Sequence, residues 1–155
     1  MIAPKKYDCQ RVAQPIELDG FMSDPIWDSL PWTDDFTEIT GDPAMKPRFR
    51  TRVKMAWDET YFYIAAEMEE PQVWGTITKQ NEVMFHDNDF EIFIDPDGDS
   101  KNYYEFEMNA LGTIWELSLP VPYSEGGVPI LGCNLPGLKS KSTPRITGCG
   151  VLRVW

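Results

Sequence analysis

Basic residues are scarce in this 155-residue chain: 14 lysines and arginines stand against 25 acids, a formal net charge of −11. No cluster of cations interrupts that trend, and both nucleic acid and anionic lipid reward such a cluster. Composition therefore argues against nucleic acid and membrane surfaces as partners, and leaves neutral polar ligands and cations open. Long apolar runs are missing too, since none approaches the roughly 20 residues that span a bilayer. The opening MIAPKKYDCQ has two lysines with no apolar stretch behind them, so it does not read as a signal peptide. The expectation is a cytosolic protein, or one whose leader lies outside this sequence. Histidine occurs once, as His86, which excludes sites built from histidine pairs. Cysteine is limited to Cys9, Cys133 and Cys149, an odd set with no short metal-type spacing. Reduced thiols are expected, with at most one disulfide among them.

What the chain does have is short apolar runs separated by scattered proline and glycine. That pattern predicts an all-β antiparallel sandwich with a single domain's worth of core. PIELDG reads as a short strand ending in an Asp-Gly turn. SDPIWDSLPW is the one helix signal, near residues 24–30. There Asp24 can cap, Pro25 suits the first helical position, and Ile26, Trp27 and Leu30 share a face before Pro31 ends it. RFRTRVKMAWDETYFYIAAEME reads as a hairpin. It projects Arg48, Arg50, Arg52 and Lys54 to one side and Phe49, Val53 and Met55 to the other, with Phe62, Ile64, Ala66 and Met68 resuming the buried face.

FEIFIDPDGDSKNYYEFEMNA carries the functional question. With a period of two, Phe90, Ile92 and Ile94 point one way and Glu91, Phe93 and Asp95 the other. After the turn-forming DPDGDSKN, Tyr104, Phe106 and Met108 oppose Tyr103, Glu105, Glu107 and Asn109. TIWELSL then supplies a strand with Trp115, Leu117 and Leu119 on one side. From Leu119 onward the composition is that of a loop, and VLRVW is too short to assign.

Two accounts of the acidic face stand side by side. In one, Arg50, Arg52 and Lys54 face Glu91, Glu105 and Glu107 as a charged ladder on a wet sheet, at roughly 0.2–1 kcal/mol per pair. In the other, the interleaved Phe93 and Tyr103 matter. Aromatic planes beside carboxylates and amides are what a sugar needs, one stacking on the ring and the other bonding hydroxyls. Among acidic turns, HDND and Asp95, Asp97 and Asp99 of DPDGD offer oxygen ligands that suit calcium, against the plainer reading of a solvated loop.

PIELDGFMSDPIW, RVKMAWDETYFYIAAEMEEP and FHDNDFEIFIDPDGDSKNYYEFEMNALGT, in that order, resemble the family 9 carbohydrate-binding modules and their family 9-like relatives. The likeness covers about residues 12 to 119. It implies a jelly-roll-like, DOMON-like β-sandwich that binds an oligosaccharide or polysaccharide without catalysis. Such modules serve carbohydrate catabolism beside glycoside hydrolases, and an extracellular or periplasmic setting follows. Phe85 stands where the family places a stacking tryptophan, and Glu91 where a glutamate bonds hydroxyls. Asn109 matches an amide on the next strand, and Glu107 stands where sugar-binding members carry arginine. Tyr103, Trp74 and the edge of His86 complete the expected sugar site, while Trp27, Trp57 and Trp115 are assigned to core or turns. Structural calcium is the one ion the resemblance implies. The family's last strands have no counterpart after about Leu138. Residues 1–138 are therefore expected to form an incomplete module, and 139–155 an atypical, poorly ordered tail. Two other classes remain: an O-glycosyl hydrolase using paired carboxylates such as Glu91 and Glu107, and a haem-binding redox sandwich using methionine and His86.

Overall fold

The computed structural model describes residues 5–40, 42, 44–133, 135, 137–144 and 149–154, with side chains described up to 143. Nine strands, one short α-helix and a 3-10 turn at Tyr123–Glu125 are found among them. These are β1 (Gln10–Arg11), α1 (Ile26–Ser29), β2 (Thr51–Trp57), β3 (Phe62–Glu69), β4 (Asp89–Ile94), β5 (Tyr103–Asn109), β6 (Ile114–Leu119), β7 (Ile130–Leu131), β8 (Ser140–Pro144) and β9 (Cys149–Val154). They form a five-stranded sheet in the order β1-β2-β3-β9-β8 and a four-stranded sheet in the order β4-β5-β6-β7. Every pairing is antiparallel except β1 on β2. No helix among the described residues is long and apolar enough to cross a membrane. The chain divides into two compact units, 1–72 with 139–155, and 73–138.

In the first unit, the helix lies where its signal was read but starts one residue later, with Pro25 as its N-cap rather than its first residue. The Asp24 carboxylate accepts from the Ile26 amide, Leu30 turns extended ahead of Pro31, and Trp27 and Leu30 are buried. PIELDG forms no strand. Its Asp-Gly turn is real, with Asp19 accepting from the amides of Phe21 and Ser23 and Gly20 at φ +81°, but Ile16 is used as a core residue instead. The place beside β2 is taken by β1, extended by the Val12 amide donating to the Trp57 carbonyl.

The β2–β3 hairpin departs from the one-wet-face expectation. Lys54, Ala56, Tyr63 and Ala65 share the side assigned to solvent, yet all four are buried. Val12, Ile16, Trp27 and Leu30 pack with Ala56, Tyr63 and Ala65. Lys54 accordingly donates to the Trp27 carbonyl and lies 4.7 Å from the Trp32 ring centre, and burial lowers its pKa. At the other end of the strand, Phe62 is exposed rather than buried.

The proposed cross-ladder to the acidic strands does not form. Arg50 meets Glu67 and Glu69 at 3.1 and 3.3 Å, and Arg52 meets Glu67 at 2.8 Å, all within the same hairpin. The acids of the other sheet belong to a different set of strands, so register never brings them opposite these cations.

Residues 139–155 were expected to lack order. Their described part is β8 and β9, with β9 antiparallel to β3. Residues 145–148 and 155 lie outside the described residues. Cys9 and Cys133 are free thiols, and the side chain of Cys149 lies outside the described set.

Candidate functional site

The second unit carries every residue singled out for sugar contact. Its central hairpin sets Glu91 opposite Glu107, Phe93 opposite Glu105, and Asp89 opposite Asn109. The other side of the same strands buries Phe90, Phe106 and Met108. β6 extends the acidic side, because Trp115 opposes Glu107, Leu117 opposes Glu105 and Leu119 opposes Tyr103. Acids and large apolar residues thus share one face, where Met84, Tyr103, Trp115, Leu117 and Leu119 form a buried cluster.

The turn before β4 displays the aromatic. The Asp87 amide donates to the Met84 carbonyl at 2.9 Å, which leaves Phe85 and His86 as the two central residues. Met84 and Asp87 are buried, while Phe85 is 61% exposed. The Phe85 ring lies 4.8 Å from His86 and 6.2 Å from Trp115, centre to centre. Asp87 fixes this turn by accepting from the Thr76 amide (2.8 Å), the Thr76 hydroxyl (2.7 Å), the Ile77 amide (2.9 Å) and Asn109 Nδ2 (2.8 Å). Burial pushes the Asp87 pKa upward, but these donors outweigh it and hold the group at about 2.

Asn109 requires a correction. Its amide donates to the Ile77 carbonyl and to Asp87, and its oxygen accepts from the amides of Leu111 and Thr113. Two donors and two acceptor sites are the full capacity of a carboxamide. Asn109 is fully buried and ties the loop to the strand end, with nothing left for a hydroxyl. Tyr103, only 9% exposed, packs in the cluster beside Phe93 at 6.2 Å, so Phe93, at 52%, is the ring this part of the face presents. Trp74 is exposed on the loop leading to Thr76.

The carboxylates divide by depth. Glu91 is exposed, while Glu105 and Glu107 are 4% and 2% exposed. Tyr123 covers Glu105, its hydroxyl donating at 2.8 Å. Glu107 Oε2 receives no such donor among the described residues; its carboxyl is instead hydrogen-bonded to those of Asp89 and Glu105. Burial, then contact with Asp89, then the charges of Glu91 and Glu105 push the Glu107 pKa up to about 9. Burial likewise raises Asp89 and Glu91. None of the ion pairs among the described residues involves Asp89, Glu91, Glu105 or Glu107. Two full charges about 5 Å apart at an effective dielectric of about 20 repel by roughly 3 kcal/mol, so all these acids cannot comfortably be ionised together.

Two groups of acids converge closely enough to share one ion: Asp89, Glu91 and Glu107, and Asp95, Asp97 and Asp99. In the second, expected as a calcium loop, the carboxylates serve the turn itself. Asp95 accepts from the amides of Gly98 and Ser100, and Asp99 from that of Lys101. Left-handed Gly98, Ser100 and Asn102 complete a compact exposed loop.

An exposed ring set against a buried indole and an exposed carboxylate thus stand on one sheet of an all-β scaffold. Residues 18–127, more than two thirds of the chain, match the family described as carbohydrate family 9 binding domain-like, and the chain belongs to it. It is 28% identical over 105 residues to endo-1,4-beta-xylanase A of Thermotoga maritima, a match covering 68% of this chain and 9% of the xylanase. Among solved structures it is similar to a family 9 carbohydrate-binding module from Caldicellulosiruptor kristjanssonii in complex with cellotriose. That likeness has a TM-score of 0.62 at 17% identity, covering 94% of this chain and 65% of the other. A module from the same organism in complex with glucose gives 0.59 at 18%, covering 93% and 67%. These likenesses bear out the β-sandwich, and they favour neither the hydrolase nor the haem reading.

Trp115 was assigned to core or turns, and it is buried in the cluster with Met84, Tyr103, Leu117 and Leu119; what the sequence did not show is that this cluster lies on the acidic side of the strands. The signal was the short Ala110–Thr113 turn, whose length sets which side of β6 joins which side of β5.

Proposed function

We propose that the chain binds a gluco-configured, β-linked oligosaccharide on the acidic face of β4–β6. A pyranose ring stacks on Phe85, which is backed by Trp115, while Glu91 accepts from its hydroxyls. His86 and Phe93 border the ring. Asn109 and Tyr103 hold the platform from beneath and make no sugar contact. The sugar class rests on the solved neighbours, whose ligands are cellotriose and glucose. The xylanase relative supports a role beside a glycoside hydrolase in polysaccharide breakdown. The net charge of −11 supports a neutral ligand over nucleic acid or anionic membrane.

One observation carries this reading: Phe85 is 61% exposed although it sits in a turn clamped at both ends by buried residues. An aromatic held outward costs apolar burial, and a ligand recovers it. Titration calorimetry with cellotriose tests the assignment. Phe85→Ala and Glu91→Ala are each expected to weaken binding about 10- to 100-fold, the range of a charged hydrogen bond or a stacked ring. Phe85 is exposed, so Phe85→Ala retains the wild-type melting temperature, and Glu91→Ala, which relieves like charge beside Asp89 and Glu105, does not lower it. Binding left intact by both changes would place the site elsewhere.

A further inference from the structure

The first unit holds a cleft of about 650 Å³, and none of its lining residues belongs to the proposed sugar face. Ligand clefts run from about 300 to 1,000 Å³. Segments 5–8 and 31–37 flank it, and β2 floors it with buried Val53 and half-buried Met55. The hollow follows from how the edge of β2 is covered. β1 reaches only Ala56 and Trp57. Farther along, the Thr33 amide donates to the Val53 carbonyl at 2.9 Å and the Phe36 amide to that of Thr51 at 2.8 Å. Between these stretches a side chain stands in for a strand. The Met55 amide donates to the Tyr7 hydroxyl at 3.2 Å, and that hydroxyl donates to the Pro31 carbonyl at 2.7 Å.

Two rings line this cleft. Trp32 is held from elsewhere, with Arg52 at 4.1 Å and Lys54 at 4.7 Å from its ring centre, and neither cation lines the cleft. Phe36 is 44% exposed. The polar lining is mixed in sign. Lys5 pairs with Asp34 at 3.5 Å. The side chains of Lys6, Asp8, Asp35 and Thr37 have no hydrogen bond or ion pair among the described residues. Two lysines against three aspartates offer neither an anion nor a cation a site of one sign. Donors and acceptors interleaved beside rings suit a group that both gives and accepts, which is the hydroxyl.

We propose that this cleft is a second site for a neutral saccharide. A sugar ring packs on Trp32 and Phe36, Asp8 and Asp35 accept from its hydroxyls, and Lys6 donates to them. Tyr7 is a positioning residue, since its hydroxyl joins β2 to both flanking segments. The proposal rests on the reading at Phe85 for its class of ligand and takes nothing from that site's geometry.

Amide NMR of the whole chain, titrated separately with cellotriose and xylotriose, reads the two sites apart. Signals of residues 5–8 and 31–37 are expected to shift with at least one of these sugars, and to do so equally in Phe85→Ala. Asp35→Ala and Phe36→Ala are each expected to weaken the cleft's affinity about 3- to 10-fold, the range of one hydrogen bond or one ring contact. Shifts at 84–87 stay as they are in both variants. Asp35 is exposed, so its variant decides the matter even if Phe36→Ala perturbs the fold. If neither sugar moves 5–8 or 31–37 while 84–87 respond, the second site is overturned and the first stands. Cleft shifts that vanish in Phe85→Ala, or that ignore both cleft variants, likewise overturn the second site. Cleft shifts with none at 84–87 support the second site and overturn the first, and no shift at either overturns both.

Discussion

The β2–β3 and β4–β5 hairpins are written in the same style, with charges on alternate residues, and they end up in opposite electrostatic states. In β2–β3 each acid meets an arginine of the same hairpin: Glu67 lies between Arg50 and Arg52, and Glu69 reaches Arg50. Arg52 also lies 4.1 Å from the Trp32 ring centre. In β4–β5, Glu91 faces Glu107 and no cation is in ion-pair range of either among the described residues. Paired charges settle a surface, whereas Glu107, held among Asp89, Glu91 and Glu105, keeps its proton far above the ordinary carboxylate range. The charged-ladder account, which set Arg50, Arg52 and Lys54 against Glu91, Glu105 and Glu107, therefore fails: the arginines are spent on Glu67 and Glu69 instead.

Substitutions sharpen that contrast by sign. The largest effect is expected from Glu107→Gln at neutral pH, which replaces a buried carboxyl that folding must protonate with a neutral amide and stabilises the fold by about 1–3 kcal/mol, read by denaturant unfolding. A loss of stability there would show that Glu107 is satisfied as it stands. Arg52→Met should act oppositely, costing about 1 kcal/mol through the lost ion pair and ring contact. No change would mean that the ladder is ornamental.

The smallest effect concerns Asp58, in the turn between β2 and β3. It accepts from the Tyr63 hydroxyl and from the amides of Thr60 and Tyr61. The Tyr63 bond, then that of Thr60, lowers its pKa below the ordinary carboxylate value. A depressed folded pKa means that the unfolded chain takes up the proton first. This stabilisation is therefore full above the ordinary aspartate range and is lost as pH falls through the folded pKa. Asp58→Asn is expected to lower the melting temperature slightly at neutral pH and to flatten its decline in acid. An unchanged acid slope would argue against the Tyr63 contact.

The division between what could be read in the residues and what could not follows from range. Alternation in β4 and β5 is local, and it placed Phe90, Phe106 and Met108 against Glu91, Glu105 and Glu107 correctly. The Pro25–Pro31 bracket likewise located α1. What stayed hidden depended on partners distant in sequence. Lys54 reads as a surface cation until Trp27 and Trp32 are laid over it. Asn109 reads as a ligand contact until Asp87 and Ile77, more than 20 residues away, use up its amide. Polar side chains carry no mark of whether their bonds will be spent inside the fold.

The clasp at Asp87 has a consequence of its own. It grips the main chain of Thr76 and Ile77, so the identity of the following residues does not determine where the displayed ring stands. Positions 78–83 form a solvent-facing excursion, stitched to β6 where the Asn81 amide donates to the Ile114 carbonyl and its side-chain oxygen accepts from the Glu116 amide. Length and spelling there can drift, lengthening a wall or adding a contact, without disturbing the platform. Selectivity in this molecule can change by rewriting a border while the anchor is inherited intact.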